Sequence, residues 1–329
     1  MISVVITTYN RPKKCLELVS LIKKEDAKVP IIVVDSGDKK FTIDTKQYNN
    51  VIVVETKHKN QPFQRFLGHS HTKTDWILYL DDDMEPLDST FKVLNELITE
   101  KGNEFGLFAL KFIDKHQNSF LKNQKESVLK SSKMVTFFRA FSGYPILPEG
   151  VYGKNGVKGT QPKQGGRTYH SGGGAFLVKK EYLYQNFNMQ LFDLYESRKG
   201  KGEDGILSYT VSKQTKLYYY AKQLFWHNDQ ANSVYTKNEK QFNKIVAYSR
   251  LYLNLEYARL NNKSIFLARL SYLWYSKWRI FGLLINGVLR PSKTNWNRLK
   301  GYVIGVLMAL GLNYKKKLEN NSYWINELN

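Results

Sequence analysis

The chain has 329 residues, 42% of them hydrophobic and 14% aromatic, a composition that excludes a disordered, collagen-like or low-complexity protein. Lys and Arg outnumber Asp and Glu by 50 to 29, a net charge of +21, which points to an anionic partner: nucleic acid, an acidic membrane surface or a phosphorylated substrate. The single cysteine, Cys15, excludes an internal disulfide and suits a reducing compartment.

Residues 2–7, Ile-Ser-Val-Val-Ile-Thr, form a β-branched run stopped by Thr8-Tyr9-Asn10-Arg11-Pro12. This predicts a buried strand ending in a loop, without the basic, apolar and small-residue order of an export signal. A helix is expected over 13–24, with Cys15, Leu18, Val19 and Ile22 on one face. Strands follow at 31–34 and 51–55, a helix at 62–71, and a strand at 76–80 that runs directly into Asp81-Asp82-Asp83. Such alternation predicts an α/β fold with a mostly parallel sheet covered by helices. The polar strand endings at 7–11, 35–38 and 81–83 then gather at the carboxyl edge, where such sheets bind ligands.

Further strands are expected at 105–113, 134–141 and 175–178, with long Gly- and Pro-containing loops over 143–174 and a helix start at 180–185. Residues 203–211 read as a helix and 217–220 as a strand, with Phe225-Trp226-His227-Asn228-Asp229 its polar exit. Beyond 230 helical periodicity dominates, and 231–329 hold 16 Lys and Arg against 4 Asp and Glu. The chain divides on this reading into a catalytic α/β domain, 1–230, and a basic helical extension, 231–329.

Three adjacent carboxylates after a buried strand repel one another unless a cation or donors lie close. Hard oxygen ligands favour Mg²⁺ or Mn²⁺, completed by substrate phosphates. A carboxylate opening a helix, as Glu203 and Asp204 do, is oriented by backbone donors and suits a general base, although a plain helix cap reads the same way. The Ser171-Gly172-Gly173-Gly174 run permits close backbone approach to a ligand, and is also what an ordinary turn looks like. No phosphate-binding Gly-x-x-x-x-Gly-Lys-Ser/Thr loop and no Gly-x-Ser-x-Gly elbow occurs.

The opening Val4-Val5-Ile6-Thr7-Thr8-Tyr9-Asn10-Arg11-Pro12, the strand end Val33-Val34-Asp35-Ser36-Gly37 and Ile77-Leu78-Tyr79-Leu80-Asp81-Asp82-Asp83 together resemble family 2 glycosyltransferases, over about residues 1–230. The resemblance implies a GT-A type fold and inverting transfer from a nucleotide-sugar, a UDP-sugar first, to a glycan or lipid-linked acceptor in surface polysaccharide assembly. It implies nucleotide-sugar contacts by Thr7, Tyr9, Arg11, Asp35, Arg65, Asp81 and Asp82, although Phe66 replaces the asparagine common after that arginine. It further implies a DXD-type metal site for Mn²⁺ or Mg²⁺ at Asp83, joined by His227, with Asp204 as general base. Gly173, Gly174 and Glu203 would line the acceptor side of the cleft.

In the extension, 265–289 and 302–312 are apolar, Trp- and Tyr-containing and basic, with apolar runs too short to span a bilayer. Such helices lie in the headgroup plane, which predicts a cytoplasmic protein held peripherally at an anionic membrane surface. A soluble helical subdomain or an oligomer interface is the competing reading. Nucleic-acid binding is not expected, since no reader motif appears. The alternative to an enzyme is a non-catalytic basic protein that binds membrane or nucleic acid.

Overall fold

The computed structural model describes residues 1–39, 41–43, 48–115, 133–228, 238–315 and 322–328. Strands β1 (Ile2–Thr8), β2 (Ile31–Asp35), β3 (Val51–Glu55) and β4 (Trp76–Asp81) pair in parallel in the order β3-β2-β1-β4. Strand β8 (Ala175–Lys179) runs antiparallel to β4 and to β6 (Phe105–Asp114), so β6 returns to the direction of β1. Strand β9 (Lys216–His227) follows β6 in parallel. The short β5 (Met84–Pro86) and β7 (Gly166–Thr168) pair antiparallel with β9. Six of the nine strands among the described residues therefore point one way, as the sequence led one to expect. Every residue of β1 and β2 is buried, which is why both read as largely apolar runs without polar-apolar alternation.

Helix α1 (Pro12–Glu25) starts on a proline, ends on Lys23 and Lys24, and buries the predicted Cys15, Leu18, Val19 and Ile22. It shares a core with α3 (Thr90–Lys101), whose Phe91, Leu94 and Leu97 are buried on the same side of the sheet. The other face carries α2 (Gln61–His71), begun by Asn60, whose side chain accepts from Phe63 N. A single apolar cluster runs from α2 through α5 (Gln190–Glu196) and α6 (Glu203–Val211) to α7 (Glu239–Leu260), α8 (Ile265–Leu289) and α9 (Lys293–Leu310). Asn238, Ser264 and Ser292 cap these last three helices. Trp324, in α10 (Ser322–Asn326), is buried against Phe63 and Phe192 and donates to Asp193 at 2.8 Å, so it belongs to the core.

Three local expectations are corrected. The segment expected as a strand over 134–141 is a helix, α4 (Lys133–Phe141); a short apolar run fits either period, and it packs on α8 through Phe141. The helix expected over 180–185 is a single 3₁₀ turn, Lys180–Tyr182. Residues 217–220 and Phe225-Trp226-His227 of the expected exit lie in one strand, β9, which pairs with β6 through register shifts near Lys111. Asp229, Lys316, Lys317 and the boundary at 230 lie outside the described residues. Among the described residues no helix is long and apolar enough to cross a membrane.

Candidate active site

Parallel pairing brings Thr8, Asp35, Asp81, Asp114 and His227 to one edge, the carboxyl ends of their strands. Gly174 meets them there because β8 enters from that edge, and its carbonyl accepts from Asp81 N at 2.9 Å. Its φ of +92° is a backbone conformation that glycine adopts without strain, and an added Cβ would press on the end of the Met84 side chain.

The three aspartates have different sets of partners, and Asp82 and Asp83 share Arg11. Asp81 accepts from Gln61 Nε2 at 2.7 Å and from Arg65 Nη2 at 2.9 Å, both on α2. Asp82 accepts from Thr8 Oγ1 at 2.7 Å and Arg11 Nη1 at 3.2 Å. Asp83 Oδ2 accepts from Arg11 Nη1 at 3.1 Å, while its Oδ1 faces His227 Nε2 at 3.6 Å. Burial pushes the Asp82 carboxyl up to about 6 against the pull of Thr8 and Arg11. Burial raises Asp81 as well, with Arg65 opposing it. Burial acts on Asp83 in the same sense, but His227 and Arg11 outweigh it and hold that carboxyl below the ordinary range. Asp83 is therefore the triplet member best kept ionised.

Arg65 is buried, with 2% of its side chain exposed, and binds two motifs together. Its Nη1 donates to Asp204 Oδ1 at 2.6 Å and lies 4.0 Å from Glu203 Oε1, while Nη2 holds Asp81. Both acids stand in the first turn of α6, after Gly202 in a left-handed conformation (φ +89°) that a glycine adopts without strain. Glu203 receives the Tyr195 hydroxyl, and burial together with the Asp204 charge raises its carboxyl. Asp204 Oδ2 takes no hydrogen bond among the described residues. It faces Gly173, where an added Cβ would sit 2.5 Å away, so the glycine leaves that oxygen its space.

A cavity of about 680 Å³ opens above this edge. Thr7, Tyr9, Arg11, Lys59, Gln61 and the three aspartates form one wall, and Asn238, Gln241, Phe242 and Ile245 of α7 form another. Asp35 is placed differently: its two oxygens accept from Gly37 N and Phe41 N, each at 2.7 Å, and so shape the loop after β2. Gln61, Thr8, Tyr195, Lys59 and the α7 wall escaped sequence reasoning. Thr8 stood inside the opening motif without a role of its own, Gln61, Tyr195 and Lys59 carry no motif, and α7 reaches the cleft through tertiary packing.

The donor set suits a divalent cation. Asp83 Oδ1 is buried without a hydrogen-bond partner, and an imidazole stands beside it, leaving the remaining positions of a metal to phosphate oxygens. No group of three or more His, Cys, Asp or Glu gathers for a metal among the described residues.

Residues 3–159 match the sequence model of Glycosyl transferase family 2. Those residues carry the glycosyl transferase family 2 pattern. The mixed sheet with its flanking helices is the GT-A type of fold, followed by helical structure at the C-terminal end. Solved structures similar to the chain include residues 1–349 of TarS from S. aureus, at 14% identity over 93% of this chain and 80% of that one, with a TM-score of 0.48. The same TarS fragment in complex with UDP-GlcNAc is 12% identical over 95% and 93%, with a TM-score of 0.47. No curated protein sequence matches the chain.

Proposed function

We propose that the cleft transfers a sugar, with inversion, from a nucleoside diphosphate donor, a UDP-sugar first, to a hydroxyl of a glycan or lipid-linked acceptor. The observation that carries this reading is Asp204: one oxygen anchored by Arg65, the other turned to the space left by Gly173 at the mouth of the triplet. In the reaction the acceptor oxygen bonds to the anomeric carbon from the face opposite the diphosphate. The bond to the diphosphate breaks, and Asp204 Oδ2 receives the acceptor proton. Tyr9 and Lys59, whose ammonium stands 5.3 Å from the Tyr9 ring centroid, flank the nucleotide side, and Arg11 meets phosphate oxygens. Asp83 and His227 would hold Mn²⁺ or Mg²⁺, which when bound offsets charge on the leaving diphosphate.

The test is nucleotide release from a panel of UDP-, GDP- and dTDP-sugars with Mn²⁺. Release by the native chain that falls on Asp83→Ala at saturating Mn²⁺ supports the assignment. Release from none of the panel leaves a basic binding protein as the reading.

We also propose that the protein works at the cytoplasmic face of a membrane, as a peripheral protein and as part of surface polysaccharide assembly. Helix α8 exposes Phe266, Leu270, Trp274, Phe281, Leu284 and Val288 along one stripe, and Val288 is 63% exposed. Such a stripe, beside the basic surplus of the same helices, suits an interfacial position. Flotation with anionic vesicles tests it; equal recovery from the soluble fraction with anionic and neutral lipid rejects it.

A further inference from the structure

A second cavity, of about 360 Å³, lies on the far side of α7 from the cleft. The helical period separates the two: Gln241, Phe242 and Ile245 face the cleft, whereas Asn243, Val246 and Arg250 face the second cavity. Arg139, Arg250 and Arg279, from α4, α7 and α8, converge on it between the rings of Tyr144, Tyr275, Trp278 and Tyr302.

None of the three arginines pairs with a carboxylate among the described residues. Arg250 Nη1 donates to the Asn155 carbonyl and its Nε is buried without a partner. Arg139 Nε reaches only the Tyr144 carbonyl, at 3.4 Å. Guanidinium carbons of Arg139 and Arg250 stand 5.1 and 5.5 Å from the Tyr144 ring centroid, so the cations are held in place by aromatic faces. Glu239 touches Asn243 Nδ2 at 3.4 Å but is itself bound by Arg298. Cations gathered without counter-charge in an aromatic-walled cavity call for an anion, and guanidinium forks match phosphate oxygens. The rim is apolar and exposed: Phe141, Trp274 and Phe281 pack edge to face around Trp278.

We propose that this cavity binds the phosphate group of a membrane lipid, with the three arginines on the phosphate and the aromatic rim against the acyl chains. The proposal rests on the membrane reading above and adds a defined headgroup site to it. Because α7 stands between this site and Asp204, the bound phosphate does not react; it fixes the orientation of the cleft relative to the lipid surface.

The test uses the full chain, native and as Arg279→Gln, Arg139→Gln and Lys300→Gln, the last an exposed cation away from the cavity. Binding is measured to phosphatidylcholine vesicles alone and with phosphatidic acid, and to soluble glycerol 3-phosphate. Loss of one charge-assisted phosphate contact should weaken phosphatidic acid binding about tenfold in either arginine variant and leave Lys300→Gln near native. Equal loss in all three variants overturns the site while leaving general membrane attraction intact. Arginine-dependent binding of glycerol 3-phosphate without vesicle binding overturns the lipid assignment and the membrane reading together. Binding to neither probe overturns the anion site itself.

Discussion

The two cavities on either side of α7 handle charge in opposite ways. In the cleft, five carboxylates gather between the sheet edge and the start of α6, yet two arginines answer most of them: the buried Arg65 spans Asp81, Asp204 and Glu203, and the half-exposed Arg11 spans Asp82 and Asp83. Behind the helix, three arginines meet without pairing to a carboxylate among the described residues, and Arg139 and Arg250 have ring faces and carbonyls for partners. A folded protein tolerates a cluster of like charge by neutralising it or by presenting it to a ligand that will. The cleft is largely neutralised, with Asp83 Oδ1 and Asp204 Oδ2 among the carboxylate oxygens that take no hydrogen bond among the described residues; the rear cavity leaves its arginines without a carboxylate there. The first pattern suits selective chemistry at chosen atoms, and the second suits anchoring of an anion.

The largest expected effect is on the neutralised side. Arg65→Met strips the counter-charge from buried acids and should cost about 3–5 kcal/mol of stability in urea unfolding. A loss of about 1 kcal/mol or less would mean that Arg65 behaves as a surface ion pair and that the contrast between the two cavities is wrong. Next, Asp204→Asn should leave donor affinity near native and lower the transfer rate by about 10²-fold or more. Lost donor affinity with an unchanged rate would move Asp204 from the acceptor to the nucleotide.

The pH dependence sharpens the comparison further. Since burial lifts Asp82 to about 6 from an ordinary 3.8, the folded chain keeps this proton to higher pH than the unfolded one. The stability it contributes is complete below about pH 4 and declines as pH rises through about 6, by on the order of 2–3 kcal/mol. Asp82→Asn should remove that decline, so that it exceeds the native chain in stability at neutral pH and matches it in acid. Asp83, held low, acts with the opposite sign and only in more acid solution, where its protonation removes stability. Identical pH profiles for native and Asp82→Asn protein would show that the triplet is better solvated than its burial implies. The smallest effect belongs to the exposed stripe: Phe281→Ser or Val288→Ser should each lower vesicle partitioning about three- to tenfold with unfolding unchanged. No change in either would detach the rear cavity from a lipid surface.

The sequence by itself determined the framework. The β-branched-rich runs at 2–7 and 31–34, and the spacing of Cys15, Leu18, Val19 and Ile22, are local signals that survive folding because period and burial agree. It also marked Asp81–Asp83, Glu203, Asp204 and the glycines at 173 and 174, since strand ends and helix starts can be read from composition around them. Only the tertiary structure decided how those marks are used. It turned Arg65 inward to reach Asp204, 139 positions away, and gave Asp35 to its own loop. It made 133–141 a helix because α8 offered Phe141 an aromatic partner, and it drew Arg139, Arg250 and Arg279 to one point. The physical reason is range: hydrophobic period and turn chemistry act over a few neighbours, whereas charge pairing and aromatic packing are set by whichever side chains the sheet and helices bring within a few ångströms, however far apart they stand in the chain.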